Sequence, residues 1–283
     1  MKRLITFILV PVVIVALLIA SYLSGGRYIS TENAKSDLDF MVSTIQDVHY
    51  NAYFKTDKAV LKYYQDSVLS QWDTDSISVR EFTLVGMQLS ALMSGGHTGL
   101  YWKNSQFFPE LKSYEYIPFT GKLNDAGEFE VTRSANKNVD KTMAIEAING
   151  VPINELFEEA MTCIGGIYAY KNLYCESVFP LYLFFTHKIK APYQLTLKNG
   201  EQVVLEGMKI RPLFRFLNTQ NSRKKYTFEI LEGNIGYLQY NQCVDYKAFD
   251  RFLEKTFQSI EKNGVDRLII DIRENGGGNS SLN

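Results

Sequence analysis

The chain has 283 residues, 46% of them hydrophobic and 22% charged, the make-up of an ordinary globular protein long enough for two small domains. A formal net charge of −1 offers no electrostatic footprint for nucleic acid. Cys163, Cys175 and Cys243 form no C-x-x-C pair and are not spaced for a shared metal with His49, His97 or His187, so no metal and no other cofactor is expected.

Lys2 and Arg3 precede an apolar run from Leu4 to Leu23, interrupted only by Thr6, Pro11 and Ser21. In helical rise that run matches the hydrocarbon thickness of a bilayer. Residues 1–30 are therefore read as an uncleaved, single-pass anchor with Lys2 and Arg3 on the cytoplasmic side. A cleaved signal peptide is the alternative, although Ser24-Gly25-Gly26 is only a weak cleavage match. Both readings place the bulk of the chain outside the cytoplasm, in the periplasm or beyond.

Ser24 to Ala34 reads as a linker. Leu38, Met41, Val42, Ile45 and Val48 then recur at helical steps, with Ser36 or Asp37 as the cap. A second helix is predicted over Lys58–Gln71, with Val60, Leu61, Tyr64, Val68 and Leu69 on its inner side. A third fits Ser78–Met93, opened by the capping box Ser78-Val-Arg-Glu81 and ended by Gly95-Gly96. These helices make a small helical domain over residues 34–103.

Residues 104–222 read as β-rich. Leu100–Trp102, Tyr114–Phe119 and Glu128–Thr132 are aromatic or alternating segments between turn residues. Ala144 to Phe157 reads as a strand, a tight Asn149-Gly150 turn and a helix; Tyr193 to Leu205 reads as a hairpin around Asn199-Gly200. The three cysteines are taken as small buried hydrophobes, with Cys163 and Cys175 the nearest pair if one disulfide forms. The 18 Tyr and 18 Phe suit aromatic cores, or else a peptide groove.

The last unit, 226–283, starts with strands Tyr226–Leu231 and Ile235–Tyr240 around Glu232-Gly233-Asn234. A helix over Ala248–Lys262 should turn Phe249, Phe252, Leu253, Phe257 and Ile260 inward. Leu268–Ile272, apolar except for Asp271, has the pattern of a strand buried on both faces, yet only one helix is at hand to cover it. It runs into Gly276-Gly277-Gly278. A glycine turn at the carboxyl end of a sheet strand presents backbone N–H groups where open α/β sheets build their sites. Asp271 and Arg273 are read as structural residues on opposite faces, Asp271 bonded to the glycine turn or to an arginine.

Gly236-Tyr-Leu-Gln-Tyr240, the helix, and Asp266-Arg-Leu-Ile-Ile-Asp-Ile-Arg-Glu-Asn-Gly-Gly-Gly278 resemble the opening of the catalytic domain of the tail-specific (C-terminal processing) serine proteases, most closely their tricorn-like branch. The resemblance implies an α+β, multidomain protein: membrane helix, small helical domain, β-rich middle, and the start of an α/β catalytic domain. The I-x-x-I-N-G-x-x-I pattern and later hairpin are similar to the family's PDZ-like modules, although an unrelated β-rich spacer fits equally. It further implies a serine endopeptidase acting through an acyl-enzyme on polypeptide substrates. Gly278 would donate the oxyanion N–H and Gly277 would shape the turn. Ser94-Gly-Gly-His-Thr98 is similar to a degraded form of the element that carries the general base, which makes His97 the candidate base. Ser280 and Ser281 stand where the family starts a helix and are read as capping residues. The nucleophile is then expected beyond Asn283, in a chain cut short within its catalytic domain and inactive as it stands. A non-catalytic peptide-binding protein of the cell envelope is the alternative.

Overall fold

The structure, a computed structural model, describes residues 28–54, 56–93, 95–96, 98–100, 110–186, 189–219 and 224–279. The expected anchor lies outside the described residues, among which no helix is long and apolar enough to cross a membrane. The protein is a mixed α+β chain that divides into two compact units, residues 1–216 and 217–283.

In the first unit the described part of the segment expected as a linker, from Tyr28 onward, is instead structured. Strand β1 (Tyr28–Ser30) pairs antiparallel with β2 (Ser76–Ser78), and Ser30, rather than Ser36 or Asp37, caps helix α1 (Thr31–Val48) by accepting a 3.2 Å bond from the N–H of Asn33. The local reason is the Ser30 hydroxyl, placed three residues ahead of an orphan donor. Helix α2 (Lys58–Ser70) is capped by Asp57, and α3 (Val79–Met93) by the Ser78 hydroxyl, which accepts from Glu81 N–H at 3.0 Å as the capping box predicts. Leu38 and Val42 of α1 meet Leu61 of α2 and Val85, Leu89 and Met93 of α3 in one core. Val60 is not part of it: 54% exposed, it yields the inward position to Leu61, one step of 100° away.

Helix α4 (Glu110–Ser113) leads to an antiparallel pair, β3 (Phe119–Leu123) and β4 (Phe129–Ser134). The strand expected over Tyr114–Phe119 is displaced: Tyr116 makes only an isolated bridge to Met208, and pairing with β4 begins at Phe119. Strands β5 (Ile145–Ile148), β6 (Val151–Pro152), β7 (Tyr193–Leu197) and β8 (Gln202–Leu205) form an antiparallel sheet in the order β6-β5-β7-β8. Both predicted turns are in place, with positive φ at Asn149 (51°), Gly150 (79°) and Gly200 (85°).

The segment read as β-rich holds, besides α4, three further helices, α5 (Ile153–Thr162), α6 (Tyr168–Thr186) and α7 (Ile210–Asn218), of which only α5 was expected. Helix α6 escapes a periodicity reading because its C-terminal half is buried on nearly all sides, from Phe179 to Phe185, and carries Pro180 within it. Phe157 of α5 and Phe179 of α6 pack at 5.2 Å and share Phe129 of β4 at 5.6 and 5.7 Å. Among the described residues the aromatics divide between core, as at Tyr116, Phe119 and Phe184, and surface, as at Phe40, Tyr50 and Tyr63, and Cys163, Cys175 and Cys243 are all buried with no disulfide between them.

The second unit is strand, strand, helix, strand. β9 (Tyr226–Leu231) and β10 (Ile235–Tyr240) form the predicted hairpin, turned by Gly233 and Asn234 at φ 80° and 56°. Helix α8 (Tyr246–Lys262) is capped by Asp245, and β11 (Arg267–Asp271) pairs parallel with β10, in sheet order β11-β10-β9. Phe249, Phe252 and Leu253 of α8 pack on Leu238, Tyr240 and Cys243. Phe257 points away, 55% exposed, and buried Thr256 takes its inward place. The expectation of a doubly buried strand fails for β11: Leu268, Ile269 and Ile270 are 38%, 46% and 59% exposed. An edge strand with one helix across its sheet has no second layer to bury it.

Candidate functional site: the glycine turn after β11

The turn is built around a side chain whose role the sequence reading did not assign. Asn275 donates through Nδ2 to the carbonyl of Tyr240 at 2.9 Å and accepts through Oδ1 from Gly277 N–H at 2.7 Å, so one amide ties the end of β10 to the glycines. An Asn two residues before a turn glycine is the available sequence signal, since Asx side chains bond the backbone two residues on. Past it the chain runs as a short parallel extension beside β10. Cys243 N–H donates to Gly277 O at 2.9 Å, and Asn279 N–H donates to Cys243 O at 2.8 Å.

The three glycines are not equivalent. A Cβ on Gly278 would stand 2.1 Å from the carbonyl oxygen of Cys243, at a φ of 141°. Gly277 has open space but a φ of 88°, and Gly276 has neither constraint. Their amides divide likewise. Gly276 N–H donates to Asn241 O at 3.3 Å and Gly277 N–H to Asn275, whereas Gly278 N–H takes no partner among the described residues. The bridge explains this: Cys243 engages residues 277 and 279, which turns the amide between them to the opposite side.

Asp271 and Arg273 lie on one side, not on opposite faces, because residues two apart share a face where the backbone is extended. Arg273 grips Asp271 with Nε to Oδ1 at 2.9 Å and Nη2 to Oδ2 at 2.8 Å, and Tyr237 of β10 donates to Oδ2 at 2.5 Å. The arginine bonds first and the tyrosine second hold the Asp271 carboxyl well below the usual carboxylate range. Gln239 and Thr227 continue the polar file across β10 and β9, at 3.4 Å from Gln239 Nε2 to Tyr237 and 3.0 Å from Thr227 Oγ1 to Gln239. A carboxylate so engaged is an anchor for the start of the turn, not a proton acceptor.

His97, Ser94, His187, Ser280 and Ser281 lie outside the described residues. The loop around His97 is described on either side of it: Thr98 N–H donates to Gly95 O at 3.1 Å, and the Tyr170 ring lies so close that a Cβ on Gly96 would be 2.6 Å from it. His49 ends α1, its Nδ1 accepting from Asn51 N–H at 3.1 Å.

A parallel strand–helix–strand that delivers a glycine turn at its carboxyl end is a site-building unit of α/β enzymes. The model of peptidase family S41 matches residues 234–282, the stretch from the β9–β10 turn through the glycines. The resemblance to the tail-specific protease family drawn from these residues is thereby shown. Among solved structures, the chain is similar to a serine-to-alanine mutant of CPAF, with a TM-score of 0.59 and 15% identity, covering 89% of this chain and 57% of that one. It is also similar to mature CPAF complexed with lactacystin, with a TM-score of 0.56 and 15% identity, covering 89% of this chain and 58% of that one. At this identity the likeness is one of fold. The chain spans under three-fifths of the length of these relatives. No curated protein matches it.

Proposed function

We propose that the chain belongs to a serine peptidase of the C-terminal processing type, cleaving polypeptides through an acyl-enzyme. The observation that carries this reading is the N–H of Gly278, which takes no partner among the described residues while those of Gly276 and Gly277 are bonded, inside the segment that matches the peptidase family. Such a preset donor stabilises a tetrahedral oxyanion, a contribution of about 3–4 kcal/mol where single donors have been removed from other enzymes. Gly277, through its positive φ, shapes the turn, and His97 acts as general base. Neither Ser280 nor Ser281 is assigned the nucleophile's part.

The remaining parts of the reading rest on sequence. Residues 4–23 anchor the protein in the cell membrane with the bulk of the chain extracytoplasmic, followed by a helical domain (34–103), a PDZ-like middle (104–222) and the catalytic portion (226–283). The full gene product, incubated with a fluorogenic peptide library, should turn over peptides, and His97→Ala should lower the rate by about 10²–10⁴-fold without changing the melting temperature. Labelling with a fluorophosphonate and locating the modified residue by mass spectrometry identifies the nucleophile. Peptide binding without turnover, or turnover indifferent to His97→Ala, would favour the non-catalytic envelope protein instead.

A further inference from the structure

The first turn of helix α6 meets the loop on either side of position 97, and one aromatic side chain makes the junction. Tyr170 lies against two glycines, Gly96 of that loop and Gly166 just ahead of the helix. A Cβ on Gly96 would stand 2.6 Å from the ring, and one on Gly166 would stand 2.8 Å from it. The same point on Gly166 lies 3.6 Å from the Gly96 nitrogen, so the two backbones also approach each other. The Tyr170 hydroxyl donates to Gly96 O at 3.4 Å, and Tyr174, one turn further along α6, stacks on the ring at 5.9 Å. Thr98 N–H donates to Gly95 O at 3.1 Å, which ties the two flanks of position 97 together. Ordinary core packing does not account for the ring: Tyr170 is 39% exposed, whereas Phe179, Phe184 and Phe185 of the same helix are buried.

We propose that Tyr170 is a positioning residue for the general base, its ring fixing the Gly96 peptide to which His97 is joined. The proposal rests on the assignment of His97 as base and adds what holds that base in place. The ring does the holding rather than the hydroxyl. No methyl group fits between the ring and Gly96, whereas 3.4 Å is long for a hydrogen bond from a hydroxyl. A general base acts only within hydrogen-bond reach of the proton it takes. A displacement of about 1 Å can cost on the order of 10²-fold in rate, so a side chain that touches no substrate still governs the reaction.

The test compares Tyr170→Ala, Tyr170→Phe, Gly96→Ala and the pair Gly96→Ala/Tyr170→Ala in the full gene product. Gly96 lies outside the left-handed region, so its added methyl group tests the ring contact and not backbone strain. Tyr170 also borders a cleft of about 720 Å³, into which a displaced ring can swing without unfolding the helix. Tyr170→Ala and Gly96→Ala should each lower kcat for peptide hydrolysis by about tenfold, with KM unchanged within about twofold. Tyr170→Phe should restore kcat to within about twofold of the original chain. The pair should be no slower than Tyr170→Ala alone, because the ring supplies the three atoms nearest the added methyl group. Hydrogen exchange read by mass spectrometry needs no turnover; over residues 95–99 it should be about fivefold faster in Tyr170→Ala and unchanged in Tyr170→Phe. Unchanged exchange in Tyr170→Ala, a Tyr170→Phe as slow as Tyr170→Ala, or additive losses in the pair would overturn the proposal. Hydrolysis that falls with His97→Ala but not with Tyr170→Ala would overturn it too, and would leave the base assignment standing. Hydrolysis indifferent to His97→Ala would remove the base itself, and the proposal with it.

Discussion

In the first unit Tyr193, Leu195 and Leu197 of β7 are buried, whereas in the second Leu268, Ile269 and Ile270 of β11 are exposed, although β11 carries the longer apolar run. The difference lies in neighbours. β7 has β5 on one side and β8 on the other, while among the described residues β11 pairs only with β10 and sits at the edge of a three-stranded sheet. Hydrophobicity states what a strand would gain by burial; the number of elements around it decides whether that gain is realised.

The comparison can be broken most sharply in the first unit. Phe157→Ala removes the ring shared by Phe129 and Phe179 at a fully buried position and should cost about 3–5 kcal/mol, read as a lower denaturation midpoint. If the loss is under about 1 kcal/mol, the aromatic cluster is not the core of that unit. In the second unit the largest effect should come from the backbone. Gly278→Val places a Cβ against Cys243 O at a φ of 141° and should cost about 2–4 kcal/mol, with lost hydrogen-exchange protection at Cys243 and Asn279. Full protection in the variant would show that the extension beside β10 is not held by close approach.

Next comes a dependence on pH. The folded carboxyl of Asp271 is depressed by Arg273 and Tyr237, so its stabilising contribution is fully present above the unfolded value of about 3.9. It is lost as pH falls from there through the folded value. The melting temperature of the second unit should fall below about pH 4, and Asp271→Asn should be less stable at neutral pH and flatter in that window. A wild-type curve as flat as the variant's would remove Asp271 from the anchoring role. The smallest effect is the most telling for the comparison. Ile270→Ser should change stability by only about 0.5 kcal/mol while reducing aggregation, since an exposed apolar edge invites pairing with other chains. Leu195→Ser in β7 should instead be severely destabilising.

Much of this architecture was legible because local chemistry decides it. Asn149-Gly150 and Asn199-Gly200 turn chains wherever alternating strands flank them, and Ser78 with Glu81 opens a helix by satisfying its own orphan donor. The D-I-R-E-N-G-G-G string located the candidate turn for the same reason, since positive φ at Gly277 and Gly278 is a property of glycine itself. Helix α6 was not legible. Its buried, aromatic C-terminal half shows no one-sided stripe, because packing against β3 and α5 surrounds it. Phe257 was misplaced for a related reason: a helix seated on a narrow sheet buries one stripe, and a side chain at the margin of that stripe is released to solvent.

The sequence by itself determined the turns, the starts of α2 and α3, the resemblance of residues 234–282 to peptidase family S41 and the identity of the glycines, because each depends on a few neighbours along the chain. Only the tertiary structure decided that Asn275 clasps β10, that Asp271 pairs with Arg273, that Gly278 alone of the three keeps a free N–H among the described residues, and that β11 lies open. Those outcomes depend on which strand lies beside which. That arrangement is set by the summed burial of distant elements, a quantity no short stretch of sequence contains.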